Sequence, residues 1–315
     1  MAYQTGTAAN YSDLLDKVVT FATAAGNGFV IQNDQRGASS GEITLKGLDY
    51  SGDKSIYVGI KKYANPGVDI YGWFLNGYTG FTNGGFLNNP GAIPAYVPTL
   101  PLWNDVIPYW LAVNPRRINL VAKISTIYMS MTLGLMLQNG SYGQWPYPTI
   151  VGGSNVSDIG VTTMARYSDV SGYMSSCFIP RGDDSRSSVC VRVSDGTWRR
   201  LFNAQKGILG PGTSGQPLKT AHGVSPYCDQ YSESSSGGYG WRQVRPNLDG
   251  KYPLKKLRLM RGDTPDALGI FDGVQWTSGY NQSSEDTIAE GTDNYVVFQD
   301  TFRTELDSFF ALKAA

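Results

Sequence analysis

The residues able to do chemistry are few and scattered. The single histidine, His222, lies close to Cys228 and Asp229 in KTAHGVSPYCDQ. These are the residue types of a thiol nucleophile, an imidazole base and an orienting carboxylate, which must lie within hydrogen-bond reach to act. Nearness in sequence does not supply that geometry, and a turn histidine beside a structural thiol is the simpler reading. One histidine with Cys177, Cys190 and Cys228 provides too few ligands, at the wrong spacing, for a zinc site. Asp183, Asp184, Glu233, Glu285 and Asp286 could furnish a glycosidase carboxylate pair, but their spacing singles out no pair. Asp263, Asp266 and Asp272 lack the alternating ligands and closing glutamate of an EF-hand. Arg-Gly-Asp occurs at 181–183 and 261–263, where Gly and Asp most simply make turns. The expectation is a protein without catalytic residues, cofactor or metal.

Aromatic and basic residues in loops are the stronger candidates, because such side chains dominate contact surfaces. The stretch NNPGAIPAYVPTLPLWNDVIP has proline at every third or fourth position from Pro90 to Pro101. That pattern forbids a helix and a central strand, and predicts an extended arm or a long loop. Pro94, Tyr96, Pro98 and Trp103 are its candidate interface residues. WPYPT contributes Trp145 and Tyr147, and YGWRQVRP contributes Trp241 and Arg242. In VCVRVSDGTWRRLF, Asp195-Gly196 predicts a two-residue hairpin turn with Arg192 opposite Arg199. Opposed like charges need an acidic cover, from this chain or from a partner. ALGIFDGVQWTSG predicts a second hairpin at Asp272-Gly273. Alternation in YGWF, residues 71–74, predicts one half in the core and the other at the surface or an interface.

Composition narrows the partners. Lys plus Arg and Asp plus Glu both number 26, so the formal charge is zero and nucleic acid is not expected as the main partner. Charged residues are 17% while Gly numbers 38 and Tyr 20, which suits a loop-rich β protein covered by neighbouring subunits, or a carbohydrate binder. The start, MAYQTGTAANYSDLLDKVV, lacks the basic and apolar regions of a signal peptide. The most apolar window, 118–137, carries Asn119, Lys123, Ser125 and Ser130, so no membrane insertion is expected. Three cysteines without a CxxC pair predict free thiols rather than an obligatory disulfide.

The scaffold reads as mainly β with one N-terminal helix, an α+β arrangement of a helix on an antiparallel sheet. Asn10 or Ser12 caps the helix, Gly26 ends it, and Leu14, Val18, Phe21 and Ala25 form its apolar stripe. Strands are expected at 29–33, 42–48, 55–63, 68–76, 109–113, 118–124 and 127–137. A first domain over 1–150 is completed by 291–315, and 151–290 forms an inserted β-rich, loop-rich domain.

Several long stretches resemble virion structural proteins of tailed bacteriophages. They are NYSDLLDKVVTFAT, GIKKYANPGVDIYGWFLNGYTGF, PLWNDVIPYWLAVNPRRINLVAKISTIY, WPYPTIVGGS and VVFQDTFRTELDSFFALK. The resemblance covers the N-terminal half and the C-terminus. It implies a non-enzymatic component of the tail, baseplate or neck. Such a chain would act as a symmetric homo-oligomer docked to other virion proteins, assembled in the host bacterial cytoplasm. The alternatives are a module binding host-surface polysaccharide through Trp and Tyr, and a polysaccharide-cleaving enzyme using carboxylates of the middle region.

Overall fold

The computed structural model describes residues 1–37, 40–94, 96–138, 147–158, 165–168, 174–179, 188–200, 202–203, 218–221, 252, 254–261, 267–301 and 309–314. The protein is mainly β with one α-helix, as the sequence predicts.

Helix α1 (Tyr11–Ala22) starts where Asn10 leaves the extended conformation. The Asn10 Oδ1 accepts from the N–H groups of Ser12 and Asp13 at 2.9 and 3.0 Å, and Asp13 accepts from Ala9 N–H at 2.7 Å. These bonds satisfy donors that a helix start leaves open. Tyr11, Leu14, Leu15, Val18, Val19 and Ala22 are buried, whereas Phe21 is half-buried and Ala25 exposed. The expected stripe was therefore rotated by part of a turn, and Ala25 lies beyond the helix end.

Sheet A has the order β1-β7-β8-β9-β11-β13-β14: β1 (Ala2–Ala8), β7 (Ile107–Asn114), β8 (Arg117–Ile124), β9 (Ile127–Leu135), β11 (Thr149–Gly152), β13 (Val189–Arg192) and β14 (Trp198–Arg200). Its centre is the expected meander. Two-residue turns at Pro115-Arg116 and Ser125-Thr126 set Leu111 opposite Leu120 and Leu120 opposite Met131. Alternation then divides the side chains between two cores. Leu111, Val113, Leu120, Ala122, Met131 and Leu133 face the first core, while Trp110, Ala112, Val121 and Tyr128 face the second.

Sheet B, order β12-β6-β5-β4-β3-β2, closes the first core together with α1. It contains β2 (Val30–Asp34), β3 (Glu42–Leu48), β4 (Ser55–Asn65), β5 (Ile70–Tyr78), β6 (Tyr96–Leu102) and β12 (Asn155–Asp158). The Trp73 Nε1 donates to the Tyr11 carbonyl at 3.2 Å and ties β5 to the helix. Two expectations are corrected here. Both halves of YGWF are buried, because β5 is an interior strand with Tyr71, Trp73 and Phe74 all enclosed. The proline-rich stretch contains an interior strand, β6. Its pairing with β12 covers Tyr96 to Thr99 and its pairing with β5 covers Thr99 to Leu102. Pro98 and Pro101 therefore each sit where β6 is paired on one side only, which a residue without an N–H tolerates.

Sheet C packs over the outer face of sheet A. Its path is β15-β16-β17-β18-β21-β20-β19, with β10 (Leu137–Gln138) pairing β18. The long strands are β17 (Lys255–Arg261), β18 (Ala267–Thr277), β20 (Asp293–Gln299) and β21 (Phe309–Lys313). The short ones are β15 (Phe202–Asn203), β16 (Leu218–Ala221) and β19 (Thr287–Glu290). Phe298 stacks edge-on against Trp110 at 5.0 Å between centroids, and Phe310 tilts against Phe178 at 5.0 Å.

The expected hairpin at Asp272-Gly273 does not form, and β18 runs straight through it. Gly273 sits at φ 76° inside the strand, where it permits an irregular backbone. The hairpin at Asp195 does form, with its register shifted. Val193 N–H bonds the Thr197 carbonyl at 2.9 Å, so the loop has three residues, with Gly196 at φ 85°. Arg192 consequently faces Trp198, and Arg199 faces Val191. The repulsive Arg192–Arg199 pair is absent, and its acidic cover is not needed.

The expected boundary near residue 150 falls inside sheet A, where β11 pairs β9 on one side and β13 on the other. Strands β20 and β21 return to the N-terminal region by packing face to face on sheet A, while their hydrogen bonds run to each other and to β18.

Candidate docking surface

The hairpin β3–β4 turns through residues 49–54, and its tip abuts the β7–β8 turn. The Asp49 carboxylate is used within this turn. It accepts from Ser51 Oγ at 2.8 Å and from Lys54 N–H at 3.2 Å. Burial pushes its pKa up, but these bonds outweigh burial and hold it below the ordinary value. The Asp49 carbonyl accepts from Arg116 Nε at 3.1 Å, and the guanidinium lies over the Tyr50 ring at 4.8 Å from its centroid. The Arg116 terminal nitrogens carry no hydrogen bond among the described residues, and neither does the Lys54 ammonium.

Tyr147 lies beside the same turn. Lys54 Nζ is 5.5 Å from its ring centroid and Arg192 Cζ is 5.7 Å away, so one ring holds two cations. Each such contact contributes about 0.5–1 kcal/mol at an exposed site. Across the β13–β14 hairpin from Arg192, Trp198 is pinned by its Nε1 donating to the Gly91 carbonyl at 2.8 Å. Arg199 is exposed, with Asp195 at 3.9 Å. Asp195 is itself held below its ordinary pKa, chiefly by the hydroxyl and N–H of Thr197. The result is a strip on one side of the fold: Arg116 on Tyr50, then Lys54 and Arg192 on Tyr147, then Trp198, whereas Arg199, opposite Val191, points to the other face of sheet A.

Of the interface residues expected from sequence, Tyr147 and Arg192 come together here, and Arg199 lies on the opposite face of sheet A. Trp103 does not join them either. Its ring meets Tyr167 edge-on at 5.6 Å and its Nε1 donates to the Val106 carbonyl at 3.2 Å. Tyr167 in turn donates to Asp69, beyond the far end of β4. Eleven residues of β4 separate Asp69 from the Lys54 turn, about 35 Å at strand rise. Pro94 is exposed in a loop, Tyr96 lies in β6, and Pro98 is buried within the chain. Trp145, Trp241 and Arg242 lie outside the described residues. The sequence reading missed Tyr50, Lys54, Arg116 and the anchoring role of Trp198. SGDK reads as an ordinary turn until the fold brings Tyr147 beside it.

The other chemical candidates divide similarly. His222, Cys228, Asp229, Asp183, Asp184, Glu233, Asp263 and Asp266 lie outside the described residues. Cys177 and Cys190 are free and fully buried. Burial raises both thiols, Cys190 to about 11, which disfavours a nucleophilic thiolate. Glu285 accepts from Lys123 Nζ at 2.5 Å and from Tyr128 OH at 2.7 Å, binding a sheet C loop to sheet A. Among the described residues, no three His, Cys, Asp or Glu side chains gather as a metal site. No helix among them is long and apolar enough to cross a membrane.

The fold and the strip define a mainly β protein that presents a cation–aromatic contact surface. Neither a family model nor a curated protein matches the chain.

Proposed function

We propose that this chain is a non-enzymatic structural component of a tailed-bacteriophage particle, in its tail, baseplate or neck. It works by assembling with copies of itself and docking to other virion proteins. The observation that carries the reading is the strip at the β3–β4 turn. There Arg116, Lys54 and Arg192 are laid on Tyr50 and Tyr147, an arrangement fit for holding a partner. Side chains already ordered by ring contacts lose less conformational entropy on binding. The two described thiols are buried in the cores and Glu285 joins a sheet C loop to sheet A, which agrees with a scaffold role. The long resemblances in sequence point to the same class.

The test is immunogold electron microscopy of the phage particles, with antibody raised against the purified chain. Label at the distal tail supports a baseplate or tip component, and label just below the head supports a neck component. Particles that take no label, intact or disrupted, overturn the proposal.

A further inference from the structure

The strip carries chemistry more specific than general stickiness. The Arg116 guanidinium is fixed on two sides, by Tyr50 beneath it and by the Asp49 carbonyl at Nε. Its terminal nitrogens, free among the described residues, form a planar fork matched to a carboxylate or phosphate. The Lys54 ammonium, carried by the same turn as Tyr50, adds a second donor group with no hydrogen bond among the described residues. The Asp49 carboxylate is occupied by Ser51 and the Lys54 N–H, and neither it nor the exposed Asp53 beside Lys54 forms an ion pair with Lys54 or Arg116 among the described residues.

We infer that the Arg116–Tyr50–Lys54–Tyr147 strip is a binding site for an acidic polysaccharide. A sugar acid joins an apolar C–H face to an anionic group in one ring, and the strip joins an aromatic surface to a cation in each of its units. Nucleic acid fits less well, because a polyphosphate chain favours a basic excess and this chain carries 26 basic against 26 acidic residues. The strip is the surface that carries the proposed docking, so the inference rests on that reading and names an acidic glycan as what this surface holds, whereas gold labelling tests only where the chain sits. Gold labelling and ligand titration therefore fail separately.

The experiment titrates the full chain with three probes, a homogeneous oligogalacturonate, its neutral methyl ester and an oligothymidylate of similar length. Trp fluorescence and calorimetry supply the readouts. Saturable binding of the acid is expected, roughly tenfold or more tighter than the ester and weakening as salt rises. Arg116→Gln and Lys54→Gln should each weaken it by roughly tenfold, the losses multiplying in the double variant. Arg116→Lys should fall between wild type and Arg116→Gln, since it keeps the charge and loses the fork. Unchanged thermal midpoints establish that the variants are folded. Equal binding of acid and ester, tighter binding of oligothymidylate, unaltered affinity in both glutamine variants, or no saturable binding of the acid would each overturn the assignment.

Discussion

Arg117 is 1% exposed, yet it is a cation. It lies on the outer face of sheet A beneath β18, where its Nη1 donates to the Asp272 carbonyl at 3.2 Å. Asn119 Nδ2 donates to the same carbonyl at 3.1 Å, and Asn114 Nδ2 donates to the Asp272 carboxylate at 2.9 Å. The Arg117 Nε and Nη2 have no partner among the described residues. Burial lowers its pKa, while the charges of Tyr50 and Asp272 act in the opposite direction. The Asp272 carboxylate thus compensates a buried charge without bonding it directly. Asp272→Asn keeps an oxygen for Asn114 and removes only the charge. Opposite charges about 4–6 Å apart at an effective dielectric constant near 20 attract by about 3–4 kcal/mol, and because Asp272 is half exposed the loss should be about 1–2 kcal/mol. Arg117→Met removes the buried charge and fills much of its volume, so its cost should stay within about 1 kcal/mol, or the variant should gain stability. In the Arg117→Met background, Asp272→Asn should cost less than about 0.5 kcal/mol, leaving a coupling near 1 kcal/mol. Urea unfolding followed by Trp fluorescence measures all four proteins, with unchanged denaturant slopes required for the comparison. An equal cost of Asp272→Asn in both backgrounds would refute the reasoning. It would show that the carboxylate stabilises something other than Arg117.

Other expectations follow from the same structure. Burial pushes Glu285 up, but the bonds from Lys123 and Tyr128 win, and its pKa lies below the ordinary 4.5. Its stabilising contribution is therefore complete above about pH 4.5 and is lost as pH falls through the lowered value, and Glu285→Gln should flatten the acid limb of a pH–stability curve. Lys123, raised above 10.5 chiefly by its bond to Glu285, gives the opposite limb, present below 10.5 and lost above it. Gly134→Ala should cost about 3 kcal/mol or more, read as a lowered thermal midpoint. Gly134 has φ 127°, and an added Cβ would come within 2.1 Å of the Arg116 carbonyl oxygen. Cys177 and Cys190 should resist alkylation at pH 8 in the native protein and react in denaturant, as mass spectrometry of labelled peptides would show. Rapid native labelling of either would contradict the buried sheet A core.

Much of the fold was legible because apolar patterning and turn residues agree locally. Residues 42–48 needed no adjustment, and the β7–β8–β9 meander is marked by its own turns. Strand β1 was invisible, since AYQTGTA has neither an apolar run nor alternation and becomes a strand by pairing with β7. Strand β6 was hidden by Pro98 and Pro101, whose acceptability depends on where two other strands end. At Asp272-Gly273 the turn signal was real, but φ 76° at Gly273 serves an irregular strand rather than a reversal. The candidate site was the least legible part. Arg192 and Tyr147 stood out as residue types, whereas Lys54, Tyr50 and Arg116 gain meaning from two turns meeting in space.

Sheet A is apolar on both faces, and that raises a problem of misthreading. In an ordinary half-buried sheet, a strand displaced by one position turns polar groups inward and is rejected for it. Displacing β8 would exchange Leu120 with Val121, one oily surface for another. The discrimination falls to the few polar groups buried on the outer face. Asn119 Oδ1 accepts from Thr132 Oγ1 at 2.8 Å, Ser130 Oγ bonds Ser176 Oγ at 2.9 Å, and Ser154 Oγ accepts from the Ser130 N–H at 2.7 Å. In a wrongly threaded chain each would be sealed away from water without its match, at about 1–3 kcal/mol apiece. These side chains work as proofreading marks, which penalise the wrong alignment more than they strengthen the right one.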